Sequence, residues 1–128
     1  SSQAAASQAV EQATTASPVN LSAALEVVDG DRDLLRESVQ IFLTQDYVRQ
    51  LVDLREAIER CDSLMVKRAA HGIKGALSSF GGWSARDLAL RLETMGREEN
   101  LTDASSVLPE LEAEIDRFAA FYARPDWD

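Results

Sequence analysis

SLMVKRAAHGIKGALSSF, residues 63–80, reads as one helix with two unlike faces. On a helical wheel turning about 100° per residue, with His71 at zero, Val66, Ala70, Ile73, Leu77 and Phe80 gather between roughly 180° and 260°. An apolar stripe of that width must be covered by other parts of the chain. Lys67, Arg68, Lys74, Gly75 and Ser78 all fall within about 60° of His71. The only histidine in the chain is therefore predicted on the face turned away from the core.

Outward from this segment the pattern stays helical. Upstream, Asn20 caps a short helix over residues 21–28, and Asp29-Gly30 stops it. Asp31 opens the next helix, with Leu34, Leu35, Val39, Phe42 and Leu43 on one side. Near Gln45-Asp46 the pattern breaks or continues into Tyr47, Leu51, Leu54 and Ile58 at helical spacing. Asp62-Ser63 caps the helix quoted above, and Gly81-Gly82 ends it. Downstream, Ser84 followed by Asp87 resembles a capping box ahead of Leu88, Leu92 and Met95. Thr102 or Asp103 starts a last helix with Leu108, Leu111, Ile115, Phe118 and Tyr122, and Pro109 inside it calls for an early-turn placement or a kink. No alternating run reads as a strand. The fold class is all-α: an antiparallel four-helix bundle with one or two additional N-terminal helices.

The 128 residues suit one domain. Residues 1–19, rich in Ser, Ala and Gln, read as a flexible tether, residues 20–124 as the folded domain and residues 125–128 as a C-terminal tail. The chain begins without Met or a signal-peptide layout, so it is expected to be a segment of something longer. A formal net charge of −9 argues against nucleic acid and anionic membrane surfaces as partners. No apolar run approaches the roughly 18 residues of a membrane span. Cys61 is the only cysteine, which excludes an internal disulfide, and with one histidine it leaves no zinc set. A cytoplasmic setting is expected.

Chemistry concentrates around His71. A core histidine belongs on the apolar stripe, and this one lies opposite it. Gly72 and Gly75 each cost about 1 kcal/mol in a helix interior relative to Ala. Gly75, one turn beyond His71 on the same face, leaves open space for a partner to approach; Gly72 suits close helix packing nearly as well as a docking role. Lys74, one turn from His71, puts an ammonium near anything attached to the imidazole, and a nearby cation would stabilise an anionic group such as a phosphoryl there. Lys67 and Arg68 extend the positive patch or form a solvated charged face. Ser78 meets an approaching group or, more simply, bonds back to the helix carbonyls. No acidic residue lies between Lys67 and Phe80, so an acidic chain presents a cationic landing site suited to an acidic partner. Trp83 is expected to cover the bundle end.

AHGIKGALSSFG, residues 70–81, resembles the signature of histidine-containing phosphotransfer (HPt) domains: His, two residues, Lys-Gly, four residues, an apolar residue and Gly. Those positions are His71, Lys74, Gly75, Phe80 and Gly81. The similarity runs upstream through VDGDRDLLRESVQIFL (28–43) and LVDLREAIERCD (51–62), and downstream into the last helix, covering residues 20–123. Leu77 stands where the family often has a small residue; since 77 is on the core stripe, this is a packing variation. The resemblance implies a four-helix bundle with accessory N-terminal helices. It makes His71 the phosphorylated residue, with Lys74 and Gly75 as its supporting pair; the helix face itself suggests Lys67, Arg68, Gly72 and Ser78 for partner docking.

It further implies a monomeric domain that binds no cofactor and is not an enzyme by itself. The partner is a response-regulator receiver domain that brings an aspartyl phosphate, Mg²⁺ and its own lysine, and the attacking nitrogen is expected to be Nε2. No GxxxxGK[ST] or Gly-rich ATP lid is present, so autonomous kinase activity is not expected. The tether favours a parent hybrid sensor histidine kinase, with a free-standing relay protein or a chemotaxis-type kinase as alternatives. The rival from another class is a helical adaptor in which His71 is incidental; a metal or haem site using Cys61, Met65 or Met95 is a distant third.

Overall fold

The computed structural model describes residues 17–127. Every regular element among them is helical. Helix α1, Leu21–Val27, starts where the Asn20 side chain accepts from the Ala23 amide at 3.1 Å. It stops at two left-handed residues, Asp29 (φ 52°) and Gly30 (φ 81°), with the Gly30 amide donating back to the Leu25 carbonyl at 2.8 Å. Helix α2, Arg32–Ile41, is capped by Asp31, whose carboxylate accepts from the Leu34 amide at 3.0 Å.

The discontinuity expected near Gln45-Asp46 is a π-helical turn, Phe42–Asp46, that joins α2 without a gap to α3, Tyr47–Glu59. The Tyr47 amide donates to the Phe42 carbonyl, five residues back. This extra residue shifts the register by one position. Leu35, Val39 and Phe42 face the core before the turn, and Leu54 and Ala57 face it afterwards. Leu34, expected on the buried side of α2, is exposed.

Helix α4, Ser63–Ser79, is capped by Asp62, which accepts from the Met65 amide at 3.2 Å. Its predicted stripe holds: Val66, Ala70, Ile73 and Leu77 are fully buried, each apolar side chain adding about 1.5–3 kcal/mol for the larger members. Gly81 (φ 69°) closes it. A side chain at Gly81 would also run into the carbonyl of Asn20, whose amide donates to the Gly81 carbonyl at 2.8 Å. Glycine is thus required there both by backbone conformation and by the strand of chain entering α1.

Helix α5 is Trp83–Arg97 with Gly82 at its N-cap and no side-chain cap. The Ser84–Asp87 capping box is therefore not formed: the helix begins ahead of Ser84, and Asp87 pairs with Arg86 instead. Trp83 is half-buried at the start of α5 under the Arg86 guanidinium, 4.4 Å from the ring centroid. Helix α6, Ala104–Ala123, follows Asp103 and carries Pro109 in its second turn. The carbonyl one turn earlier that loses its amide partner belongs to Ser105, an exposed residue.

Helices α3, α4, α5 and α6 form the antiparallel bundle, with α1 and α2 as the additional N-terminal helices, and α4 and α5 make its most extensive contact. One end is filled by Phe42, Tyr47, Phe80, Phe118 and Tyr122 in mutual ring contact. Of the expected tether, residues 1–16 lie outside the described residues, while Val19 is buried against the core. Within the expected C-terminal tail, Trp127 is only 6% exposed. It packs on Tyr122 and beneath Arg36, and Arg36 donates to the carbonyls of Tyr122 (2.7 Å) and Arg124 (3.1 Å). No helix among the described residues is long and apolar enough to cross a membrane.

Candidate functional site

With Ala70, Ile73 and Leu77 turned inward, α4 carries His71 outward, and its side chain is 68% exposed. What lies beside it is decided by how closely α5 approaches. Ala85, Ala89 and Gly96 line the buried stripe of α5. At Gly96 a Cβ would stand 2.6 Å from the Lys67 amide nitrogen and 2.6 Å from the Ser63 carbonyl oxygen. Backbone therefore touches backbone at that point. One turn earlier on α5, the same approach pushes Glu93 into the seam between the helices.

Among the described residues Glu93 is the one buried acid, its side chain only 4% exposed. One carboxylate oxygen, Oε2, lies 2.6 Å from His71 Nδ1. The other, Oε1, accepts from Lys74 Nζ at 2.6 Å, and Arg97 stands 3.8 Å from that same oxygen. Burial pushes the Glu93 carboxyl up, but hydrogen bonds from Lys74 and His71, together with their charges, outweigh it and hold the group below the usual carboxylate range. Glu93 is thus ionised at neutral pH and can only accept. The hydrogen in the 2.6 Å contact must sit on His71 Nδ1, which leaves the lone pair of a neutral imidazole on Nε2.

The residues singled out in the sequence take distinct places. Lys74 is one turn from His71 but reaches it through Glu93, its side chain 25% exposed. At Gly75 a Cβ would meet nothing within 4 Å, so the space beside the imidazole is open as expected. Gly72, assigned to the docking face, instead backs onto α3: a Cβ there would strike the Gln50 side chain. Ser78 donates to the Lys74 carbonyl at 2.9 Å, the simpler of its two readings. Arg68 is exposed, and Lys67 is half-buried beside Gly96.

Glu93 is the residue that sequence reading passed over. Its only signal was position: an acid one turn from both Ala89 and Gly96, at the edge of a stripe of small residues, is placed to enter a close helix contact. Among the described residues no group of three or more His, Cys, Asp or Glu side chains is arranged to hold a metal ion.

The site therefore presents an exposed imidazole whose distal nitrogen has no partner among the described residues, its proximal nitrogen against a buried carboxylate, and cations grouped beside it. The family model described as Hpt domain matches residues 37–121, from within α2 to near the end of α6. No curated protein and no solved structure matches the chain.

Proposed function

The chain belongs to the Hpt domain family, whose work is histidine phosphotransfer in phosphorelays, and from that membership we propose that His71 is the residue that takes and gives the phosphoryl group. The observation that carries this is the Glu93 carboxylate on His71 Nδ1 at 2.6 Å.

In the transfer, the Nε2 lone pair attacks phosphorus of an aspartyl phosphate on a receiver domain. The N–P bond forms as the P–O bond to the aspartyl carboxylate breaks, and that carboxylate leaves with the bonding pair. The Nδ1 proton stays in place, so positive charge develops on the ring. Glu93 lies against that charge before the reaction starts, which is the preorganisation that lowers a barrier. The receiver supplies Mg²⁺ for the phosphoryl oxygens; Lys74 adds a cation from this side. Reversal needs no new group, so His71 passes the phosphoryl on to a second receiver by the same path. The domain supplies the nucleophile and its electrostatic setting and is not an enzyme alone.

Open space at Gly75 supports close approach of the receiver along α4, and Arg68 supports docking of an acidic surface. The Ser/Ala/Gln-rich stretch before residue 17 supports a module joined to a hybrid sensor kinase, and exposed, unpaired Cys61 agrees with a reducing, cytoplasmic compartment.

The test is phosphotransfer from phosphorylated receivers, with Mg²⁺, to wild type and His71→Gln. Acid-labile, base-stable label on wild type alone is expected. Equal labelling of both proteins moves the site elsewhere, and no labelling of either across a panel of receivers returns the chain to the adaptor reading.

A further inference from the structure

Two cations converge on one oxygen of Glu93. Lys74 Nζ holds Oε1 at 2.6 Å, while an Arg97 guanidinium nitrogen stands off at 3.8 Å from the same atom. With Oε2 already bound to His71, a single cation satisfies the carboxylate, so Arg97 is surplus in the resting protein. Its side chain is 57% exposed and loosely held. It also sits one turn beyond Glu93 on the same helix, so it stays within reach however the α4 side chains move. Lys74 differs on each point: it belongs to α4 with His71, and its flexible stem lets the ammonium swing.

We propose that Arg97 is the reserve counterion of Glu93: when a phosphoryl group on His71 draws the Lys74 ammonium to itself, Arg97 closes onto Oε1 and keeps the carboxylate charged and bound to Nδ1–H. The inference rests on the phosphotransfer reading of His71.

Charge explains why a second cation is needed. A phosphoryl group brings roughly two negative charges, and the phosphorylated ring with Nδ1 protonated carries one positive charge. With Lys74 on the phosphoryl and Arg97 on Glu93 the whole group is neutral. Without Arg97, Lys74 must choose between Glu93 Oε1 and the phosphoryl, and leaving one oxygen of a buried carboxylate without a partner is the costlier state. Arg97 is thus a positioning residue, acting on the phosphoryl through Lys74.

The experiment uses the full chain phosphorylated by phosphoramidate, so that no partner protein is required. Phosphorus NMR reads the pH at which the dianionic phosphoryl takes up a proton, a direct gauge of the cation beside it. Arg97→Gln is expected to raise that pH by about half a unit or more, and Arg97→Lys to restore at least half of the shift. Lys74→Gln raises it as well, and adding Arg97→Gln to Lys74→Gln changes little further, because the two act through one path. Unphosphorylated Arg97→Gln keeps the wild-type urea midpoint and the His71–Glu93 hydrogen bond.

Three results overturn the proposal: Arg97→Gln titrating like wild type, the same shift appearing undiminished in the Lys74→Gln background, or loss of the His71–Glu93 bond in unphosphorylated Arg97→Gln. The second means that Arg97 touches the phosphoryl itself, and the third that it holds Glu93 at all times. Should the double variant not fold, the comparison of Arg97→Gln with Arg97→Lys decides alone. Failure of wild-type His71 to take phosphoryl from phosphoramidate overturns the phosphotransfer reading instead, and this inference with it.

Discussion

A carboxylate withdrawn from water is costly unless its neighbours hold its charge, and at Glu93 both oxygens are held at 2.6 Å. That balance fixes a pH dependence. The folded-state pKa of Glu93 lies below its ordinary 4.5, so its stabilisation is fully present above that ordinary value. It is lost as pH falls through the lower, folded value. Carbon NMR of the side-chain carboxyl should show Glu93 titrating below 4.5, with global stability declining through that same window. A midpoint above 4.5 contradicts the arrangement, because burial would then outweigh the partners. At this scale the sequence disclosed His71, Lys74 and Gly75, since wheel position alone separates them from the apolar stripe of α4. Glu93 stayed hidden because its role depends on how near α5 comes to α4, a distance set by Gly96 and by no periodicity in either helix.

Helices bring these side chains together, and two glycines show opposite uses of a missing side chain. Gly75 faces open space, so Gly75→Ala should leave the fold intact or stabilise it by up to about 1 kcal/mol, yet slow phosphotransfer by placing a methyl in the receiver's path. Gly96 touches the backbone of α4, so Gly96→Ala should cost about 1–3 kcal/mol and slow transfer as well, by lifting Glu93 away from His71. Urea melts read beside transfer rates separate the two cases; equal destabilisation by both variants would contradict the packing described. The order and extent of the helices were legible from caps and apolar spacing. The π-helical turn was legible only as a fault in the pattern, because an inserted residue changes phase without changing composition. The Ser84–Asp87 box misled because Gly82, with no capping side chain, begins α5 earlier through the backbone turn that ends α4.

At the scale of the bundle, the His71–Glu93–Lys74 group lies on the α4–α5 seam, while α2 and α6 hold Trp127. Trp127 packs there on Phe121 and Tyr122 and under Arg36, none of which touches the His71–Glu93–Lys74 group. Trp127→Ala should therefore cost about 3 kcal/mol in urea unfolding and leave the transfer rate per folded molecule unchanged; a loss of less than about 1 kcal/mol would show the segment to be a loose tail. Its closure was not readable beforehand, since one tryptophan after Pro125 has no periodicity to place it. The bundle itself was readable because every long helix carries its own apolar stripe. On the proposed reading, that fold holds one imidazole with Nδ1 tied to Glu93 and Nε2 left for the phosphoryl group. Nitrogen and phosphorus NMR on the phosphorylated full chain tests this most directly. Phosphorus coupled to Nε2 of His71, with the proton retained on Nδ1, is the expected result; phosphorus on Nδ1, or on any residue other than His71, contradicts it.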